Sequence, residues 1–438
     1  MTLRRTAWAI LRSGADQPLR EVDRAAHLEG LDDRDRGLLR AIVGTEIRRR
    51  GTLRAIVSHF THGTPKPDLA AHLRVGLTQM LFLDRVPPHA AISETVSAAS
   101  DTLGLSKGRL VNGVLREVQR QVHLGLSGNP RCDVSDRNWH FERPVFRDPT
   151  EHPALWAEDV LNIPGNLFKR WSTRHGEAKA QELARWFLTE PPLCLWSSKE
   201  DTPDAGSLGV DNAAQSSMSQ CLLVPSNQIS PVLNSKAFQD GEIWVQGETA
   251  QRAGALMNSS DQERVLDICA APGTKAMQVA RSGASVLACD QSARRLALMI
   301  PEMARQGGGF PIQLLACNGG AGIAKGELFD GVMVDAPCSN TGVLGARPAA
   351  RWRFGPANLR ALTSLQRNLL DLASKRVATG GRLLWSVCSI EPEEGPQQIR
   401  GFLQDHPEFE LDDSFLALPG SEGPVDGGFA ARLIKTGS

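Results

Sequence analysis

RVLDICAAPGTKAMQVA, residues 264–280, sets the character of the second half of the chain. RVLDI (264–268) is a short apolar run of the kind that fills a buried strand, and it passes directly into CAAPGTK (269–275). Ala270, Ala271 and Gly273 keep that turn slim, so backbone can approach a ligand, and the helix predicted after it offers N–H groups at its start. The same design recurs downstream. SVLAC (285–289) ends at Asp290, FDGVMVDAP (329–337) runs into CSNTG, and GRLLWSV (381–387) runs into CSIEPEE. NLRALTSLQRNLLDLASKRVATGG (358–381) carries Leu359, Leu362, Leu365, Leu369 and Leu372 at helical spacing and stops at Gly380-Gly381. Apolar strands alternating with helices predict an open, mostly parallel α/β sheet from about residue 241. Ligands on such sheets bind beyond the carboxyl ends of the strands.

The strand ends carry the chemistry. Asp290 follows Asp267 by 23 residues, about where an acidic side chain receives the hydroxyls of an adenosine ribose. The turn lacks GxGxxG, which disfavours a dinucleotide. Taken singly, Asp267 and Asp290 also read as helix caps. Asp335, Pro337 and Cys338 sit at the third strand end and Cys388 at the fourth. One cysteine at a strand end is usually core. Two of them beside a nucleotide-type turn, one preceded by Asp-Ala-Pro, point to a catalytic pair, provided the strands are neighbours.

Outside this region the pattern is helical. DDRDRGLLRAIVGTEIRRRG (32–51) puts Leu38, Leu39, Ile42, Val43 and Ile47 on one stripe and is expected to stop at Gly51. LRVGLTQMLFLDRV (73–86) is expected to stop at Pro87-Pro88. KGRLVNGVLREVQRQV (107–122) repeats the stripe with Leu110, Val111, Val114, Leu115, Val118 and Val122. These runs predict an all-helical domain over 1–130. Residues 126–150 lack periodicity and are rich in Pro, Asp and Arg, so 131–150 is expected to be a linker. A middle region, 151–240, holds the helical AKAQELARWFLTE (178–190) and a Ser/Asn/Gln-rich stretch, 197–235, with few core residues. The last domain spans 241–438.

Composition narrows the class. Of the 438 residues, 41% are apolar and 22% charged, which excludes a disordered or collagenous chain, and no stretch approaches the ~20 apolar residues that span a bilayer. The N-terminus lacks an apolar signal core, so the expected location is cytoplasmic. Basic and acidic residues both number 49, yet residues 1–150 hold 23 against 17, a mild surplus compatible with a polyanionic partner. Tyrosine is absent, so no tyrosine serves as acid or nucleophile. The eight cysteines form no CxxC pair and no metal-ligand spacing with histidine, so no zinc site is expected, and in a cytosolic chain they should be thiols.

CAAPGTK, DAPCSNTG and VCSIEPEE resemble the motifs of S-adenosylmethionine-dependent RNA cytosine-5 methyltransferases. DDRDRGLLRAIVGTEIRRR, LRVGLTQMLFLDRVPPHAAISETV and RLVNGVLREV resemble a NusB-like RNA-binding domain. With WVQGETAQ (244–251) and DGGFAARLIK (426–435), the resemblance covers nearly the whole chain. It is nearest to the bacterial 16S ribosomal RNA methyltransferases that carry such a domain. It implies a Rossmann-like methyltransferase domain behind a NusB-like domain and a small middle RNA-binding α+β region. It further implies S-adenosylmethionine as cofactor, RNA (16S rRNA or a small-subunit precursor) as partner, and a monomer using neither metal nor membrane.

The resemblance also assigns residues. Cys388, in the TCS-like motif, is the nucleophile that adds to carbon 6 of cytosine. Cys338, in the PCS motif, serves product release, and Asp335 orients the base. The cofactor pocket comprises Cys269, Ala270, Ala271, Pro272, Gly273, Thr274, Lys275, Asp290, Asn318 and Asp335. GARPAARWRF (345–354) supplies Arg347, Arg351, Trp352 and Arg353, which suit a flipped base and its phosphates, or form an ordinary solvated basic loop. An ordinary thiol with pKa ~8.5 is only slightly ionised at neutral pH, so Cys388 needs an electropositive setting. Several positions depart from the family pattern: Thr274 and Asn340 where Gly is common, Asn318 for an acid, Val387 for Thr, Gly247 for Asp, and LWSS (195–198) in the middle region. Alternative readings are the same chemistry on transfer RNA or another RNA, and a non-catalytic assembly factor.

Overall fold

Leu39, Ile42, Val43 and Ile47 are fully buried, as their spacing dictates, on a helix running Asp33–Arg48. It starts where Asp32 accepts a hydrogen bond from the Asp35 N–H at 2.7 Å. Gly51 does not stop it. The helix breaks at Arg49 and resumes as Arg50–Phe60, and a Cβ at Gly51 would fall 1.9 Å from the Glu158 carbonyl oxygen. Glycine here permits close approach of two backbones. The next helix, Pro67–Phe82, ends before Pro87, and Pro88 opens the following one, Pro88–Leu103, at its first turn. Leu105–Gln121 buries Val111, Val114, Leu115 and Val118 but leaves Leu110 exposed.

The computed structural model describes all residues except 1, 62, 199, 200, 217, 219, 320, 321, 421, 422 and 438. The chain divides into two compact units, residues 1–189 with 347–354, and residues 190–346 with 355–438. The stretch expected as a linker is an ordered part of the helical unit. Strands β1 (Val122–Leu124) and β2 (Trp139–Phe141) pair antiparallel there, and Cys132, Val134, Trp139, Phe141 and Phe146 are buried. The Phe141 ring packs 5.9 Å from Phe60 and Trp139 packs 6.0 Å from Phe82. Helices Pro153–Val160, Gly165–His175 and Glu177–Trp186 complete the unit, so 151–189 groups with the N-terminal helices and not with 190–240.

The second unit opens with a small antiparallel sheet in the order β4-β5-β3-β6, made of β3 (Leu193–Ser197), β4 (Ala214–Gln215), β5 (Cys221–Val224) and β6 (Ile243–Val245). The polar stretch 197–235 is better furnished than its composition suggests: Leu208, Val210, Leu222, Val224 and Val232 form a core with Leu195 and Ile243. The main sheet follows, with β7 (Arg264–Asp267), β8 (Ser285–Asp290), β9 (Ile312–Ala316), β10 (Phe329–Asp335), β11 (Val377–Val387), β12 (Phe409–Ala417) and β13 (Gly428–Lys435). Among the described residues its order is β12-β13-β11-β10-β7-β8-β9. The five strands from β11 to β9 are parallel, and β13 runs antiparallel to both β11 and β12. Four strands of this sheet are legible as apolar runs; β9, β12 and β13 are not. The order reverses between β7 and β10, which opens a crevice beyond their carboxyl ends. No helix among the described residues is long and apolar enough to cross a membrane.

Candidate active site

Five neighbouring parallel strands deliver their carboxyl ends to one edge. In sheet order these are Cys388 after β11, Asp335 ending β10, Asp267 and the Cys269–Lys275 turn after β7, Asp290 ending β8, and Asn318 beyond β9. At ~4.8 Å per strand the row is roughly 19 Å long. The first turn lies close against its neighbours. Ala270 N–H donates to the Cys289 carbonyl at 2.8 Å, and the Ala271-Pro272 peptide is cis. Gly273 has φ +96°, and a Cβ there would lie 2.4 Å from the Met299 methyl, so both backbone and space demand glycine. Thr274 begins the helix Thr274–Ala280, which turns Lys275 back toward β10.

Lys275 is buried, and its ammonium donates to Asp335 Oδ2 at 2.8 Å. Ser386, opposite Asp335 in the β10–β11 register, donates to Asp335 Oδ1 at 2.9 Å. Burial pulls the Lys275 pKa down, but Asp335 and then Cys388 outweigh it and the net shift is upward. The amine is therefore a lasting positive charge within electrostatic reach of the Cys388 sulfur, the setting that a thiolate requires. Asp267 is pushed up to about 7, first by burial and then by Asp335. Asp290 is buried and occupied locally: it accepts from Ser292 N–H at 2.9 Å and Ala271 N–H at 3.3 Å and pairs with Arg295 at 3.3 Å. It is not a helix cap, since Ser292 caps the helix Ala293–Leu296; Oδ2 faces both Ala271 and Arg295, and Oδ1 keeps a second lone pair for a hydroxyl donor. Asn318 is exposed at the far end of the row.

The two thiols occupy facing turns on neighbouring strands, joined by a hydrogen bond from Gly342 N–H to the Cys388 carbonyl at 3.1 Å. Both are partly exposed. Burial, followed by Cys388 and Glu394, holds the Cys338 pKa well above its ordinary value, so its sulfur is protonated at neutral pH. Three departures from the family pattern have local reasons. Asn340 adopts φ +59°, a conformation that Asn tolerates nearly as well as Gly, and its side chain donates to the Cys338 carbonyl at 2.8 Å. Val387 is buried in the sheet core, where a threonine hydroxyl would need a partner. A Cβ on Gly247 would fall 2.0 Å from Asp426 Oδ2, whose other oxygen accepts from Thr249 N–H. Among the described residues no cluster of three His, Cys, Asp or Glu could hold a metal ion.

The GARPAARWRF segment is not part of this row; it belongs to the helical unit. Arg351 is fully buried in the short 3-10 helix Pro348–Arg353, donating to the carbonyls of Asn162 at 3.2 Å and Phe187 at 2.8 Å. Trp352 donates to the Ile47 carbonyl at 2.7 Å and lies under the Arg54 guanidinium at 5.5 Å. Arg351 thus has no face for RNA, which corrects that expectation, while Trp352 is half-buried and an RNA contact of its ring stays a proposal. Arg347 and Arg353 are exposed, although Arg353 also donates to the Asp16 carbonyl. Sequence reasoning missed Ser386, Gln366 and Glu394, and the serine following each active-site cysteine. The pairing of CS with CS was the visible signal.

The geometry agrees with the relatives. Residues 2–120 match the NusB family and residues 254–422 match the family described as 16S rRNA methyltransferase RsmB/F. The chain is 33% identical over 375 residues to ribosomal RNA small subunit methyltransferase B of Sodalis glossinidius (strain morsitans), covering 83% of this chain and 80% of that protein. It is 31% identical over 375 residues to the protein of the same name from Salmonella arizonae, covering 83% and 81%. The crystal structure of PH0851 shares the fold at TM-score 0.76, with 23% identity and 99% of both chains covered. NSun6 from Pyrococcus horikoshii, solved with SFG, shares it at TM-score 0.55 and 16% identity, over 63% of this chain and 99% of that one. The chain belongs to the 16S rRNA methyltransferase RsmB/F family, and its class of activity is S-adenosylmethionine-dependent RNA methyl transfer.

Proposed function

We propose that this protein methylates carbon 5 of a cytosine in 16S rRNA through a covalent bond between Cys388 and carbon 6 of the base. The observation that carries the reading is the meeting of two thiols, from adjacent strand ends, beside a buried Lys275–Asp335 ion pair. S-adenosylmethionine fits the row: it is elongated and cationic, and three carboxylates, Asp267, Asp290 and Asp335, face it against Lys275 and Arg295. When bound it supplies an electrophilic methyl group. NSun6, the fold neighbour, was solved with SFG, an analogue of that cofactor. Cys269 to Lys275, Asp290, Asn318 and Asp335 are the residues that would hold it.

Carbon 5 of cytosine is a weak nucleophile until sulfur adds at carbon 6. The Cys388 thiolate, beside Lys275, forms that bond, and the ring electrons move toward carbon 5 and nitrogen 3. Asp335 accepts from the exocyclic amine and holds the base beside the Lys275 ammonium, which stabilises the negative charge that develops on the ring. Release requires loss of the carbon 5 proton and return of the C6–S electron pair to Cys388. Cys338, a thiol at neutral pH, gives its proton to the departing Cys388 sulfur and takes the carbon 5 proton, which leaves both cysteines as they were before ionisation. Arg347 and Arg353 remain proposals for RNA phosphate contacts.

Single-residue variants test the reading on small-subunit rRNA with labelled cofactor. Cys388→Ala is expected to lose methylation, and Cys338→Ala to accumulate a denaturation-resistant protein–RNA adduct. An active Cys388→Ala protein would falsify the assignment. Bisulfite mapping of rRNA from a deletion strain identifies the cytosine, and a lost mark outside 16S rRNA would move the substrate elsewhere.

A further inference from the structure

Each active-site cysteine is followed by a serine, Ser339 and Ser389, and both hydroxyls donate to one oxygen, Oε2 of Glu394. Its other oxygen accepts from the Ser339 N–H at 2.8 Å and from Gln366 Nε2 at 3.0 Å. Gln366, on the helix Pro356–Ser374, also donates to the Pro337 carbonyl at 2.9 Å, directly before Cys338. Thr341 closes the ring: its hydroxyl lies 3.1 Å from Ser389 Oγ and accepts from the Ile390 N–H at 3.1 Å. The Glu394 carbonyl in turn accepts from Trp385 Nε1 at 3.0 Å, so its backbone is tied to β11. Glu394, Gln366, Thr341 and Ser389 are all buried.

We propose that Glu394 is a positioning residue for methyl transfer, which clamps the Cys338 and Cys388 turns to each other and sets the spacing of the two sulfurs around the base. The proposal rests on the two-cysteine reading above. Four donors converge on one buried carboxylate, and the paired donors on Oε2 come one from each cysteine turn. A carboxylate serves this geometry because it accepts on both oxygens, whereas an amide must turn a donor toward one of the turns. The clamp also has an electrical consequence. Burial raises the Glu394 pKa against its donors, and once ionised its charge stands near the Cys338 thiol and disfavours its ionisation, after burial and Cys388. Cys388 interacts electrostatically with the Lys275 ammonium, whose pKa it helps to raise. The two sulfurs, chemically alike, are thus held in unlike fields.

The test compares Glu394→Ala and the shape-conserving Glu394→Gln, with both cysteines intact, using full-length protein, small-subunit rRNA and S-adenosylmethionine. The expected result is a kcat lower by ~10- to 100-fold with KM for the cofactor unchanged, smaller for Gln than for Ala, because a sulfur displaced by ~1 Å still binds but reacts poorly. Release suffers more than addition, so the adduct seen with Cys338→Ala should also accumulate in Glu394→Ala. In Glu394→Gln the alkaline limb of the kcat profile should move to lower pH, since a charge beside Cys338 is gone. Wild-type kcat with no adduct in Glu394→Gln overturns the proposal, and so does a loss confined to KM. If Cys338→Ala itself forms no adduct, the failure lies in the two-cysteine reading instead.

Discussion

The two units bury charge in opposite ways. In the helical unit Glu46 is wholly enclosed, with Arg50 Nη2 at 2.8 Å and Arg74 Nε at 2.6 Å. Burial favours its protonation, but the two guanidiniums outweigh it and hold the carboxyl below its ordinary range. In the methyltransferase unit Asp267, Asp290 and Asp335 share Lys275 and Arg295, and Asp267 is left with a pKa of about 7. A buried charge that only holds a fold is neutralised by its partners. A cluster that keeps a surplus of one sign stores a field, and a cationic ligand is what relieves it.

Exchange of the central partners separates these roles most strongly. Lys275→Met should lower the single-turnover methylation rate by ~10³-fold, as loss of a preorganised charge does, while the melting profile keeps its cooperative shape. A rate within tenfold of wild type would break the comparison. Glu46→Ala should leave cofactor binding alone and destabilise the helical unit by ~3–5 kcal/mol, since two half-buried arginines lose their fully enclosed counter-charge. Hydrogen exchange in peptides from residues 33–60 reads this directly.

Acid sharpens the contrast because one buried group in each unit, His72 and Asp267, responds with opposite sign. His72 is buried, stacked on Trp8 and bonded to Thr102 Oγ1 at 2.7 Å, and burial pushes it down to about 4. Unfolded histidine ionises near ~6.5, so between there and about 4 only the unfolded chain takes the proton. His72 therefore costs the helical unit stability as pH falls through that window, while Asp159, which burial pushes up to about 6, offsets part of that loss. Asp267 titrates near 7 folded and ~3.9 unfolded, so the folded form is the better proton acceptor. The methyltransferase unit accordingly gains stability on acidification from 7 toward 4, by at most ~1.4 kcal/mol per pH unit. In exchange rates measured at pH 7 and 5, His72→Gln should make the helical unit more acid-stable than wild type, and Asp267→Asn should remove the acid gain of the methyltransferase unit. The smallest effect is expected for Arg351→Met. Loss of its bonds to two carbonyls costs ~1–3 kcal/mol in the helical unit, and RNA affinity stays unchanged.

Legibility followed the range of the interaction. RVLDI, SVLAC, FDGVMVDAP and GRLLWSV were readable because buried parallel strands need continuous apolar runs, and the glycine turn because its backbone admits little else. Strands β12 and β13 lie toward the antiparallel edge, and the largely exposed FELDDSFLA of β12 carries no comparable run. The linker expectation for 131–150 failed because a few aromatics, Trp139, Phe141 and Phe146, anchor it without any period. Arg351 looked like part of an RNA surface because a burial partner 160 or more residues distant leaves no local trace.

The sequence by itself determined the class of sheet, the polar turns that end its strands and the presence of two strand-end cysteines with an acid just before the first, because strand burial and turn sterics act over a few residues. Only the tertiary structure decided that Lys275 serves Asp335 and stands by Cys388, that Glu394 gathers the serines of both cysteine turns, and that Arg351 is spent on carbonyls. Hydrogen bonds and Coulomb fields depend on distance through space, and folding alone sets those distances.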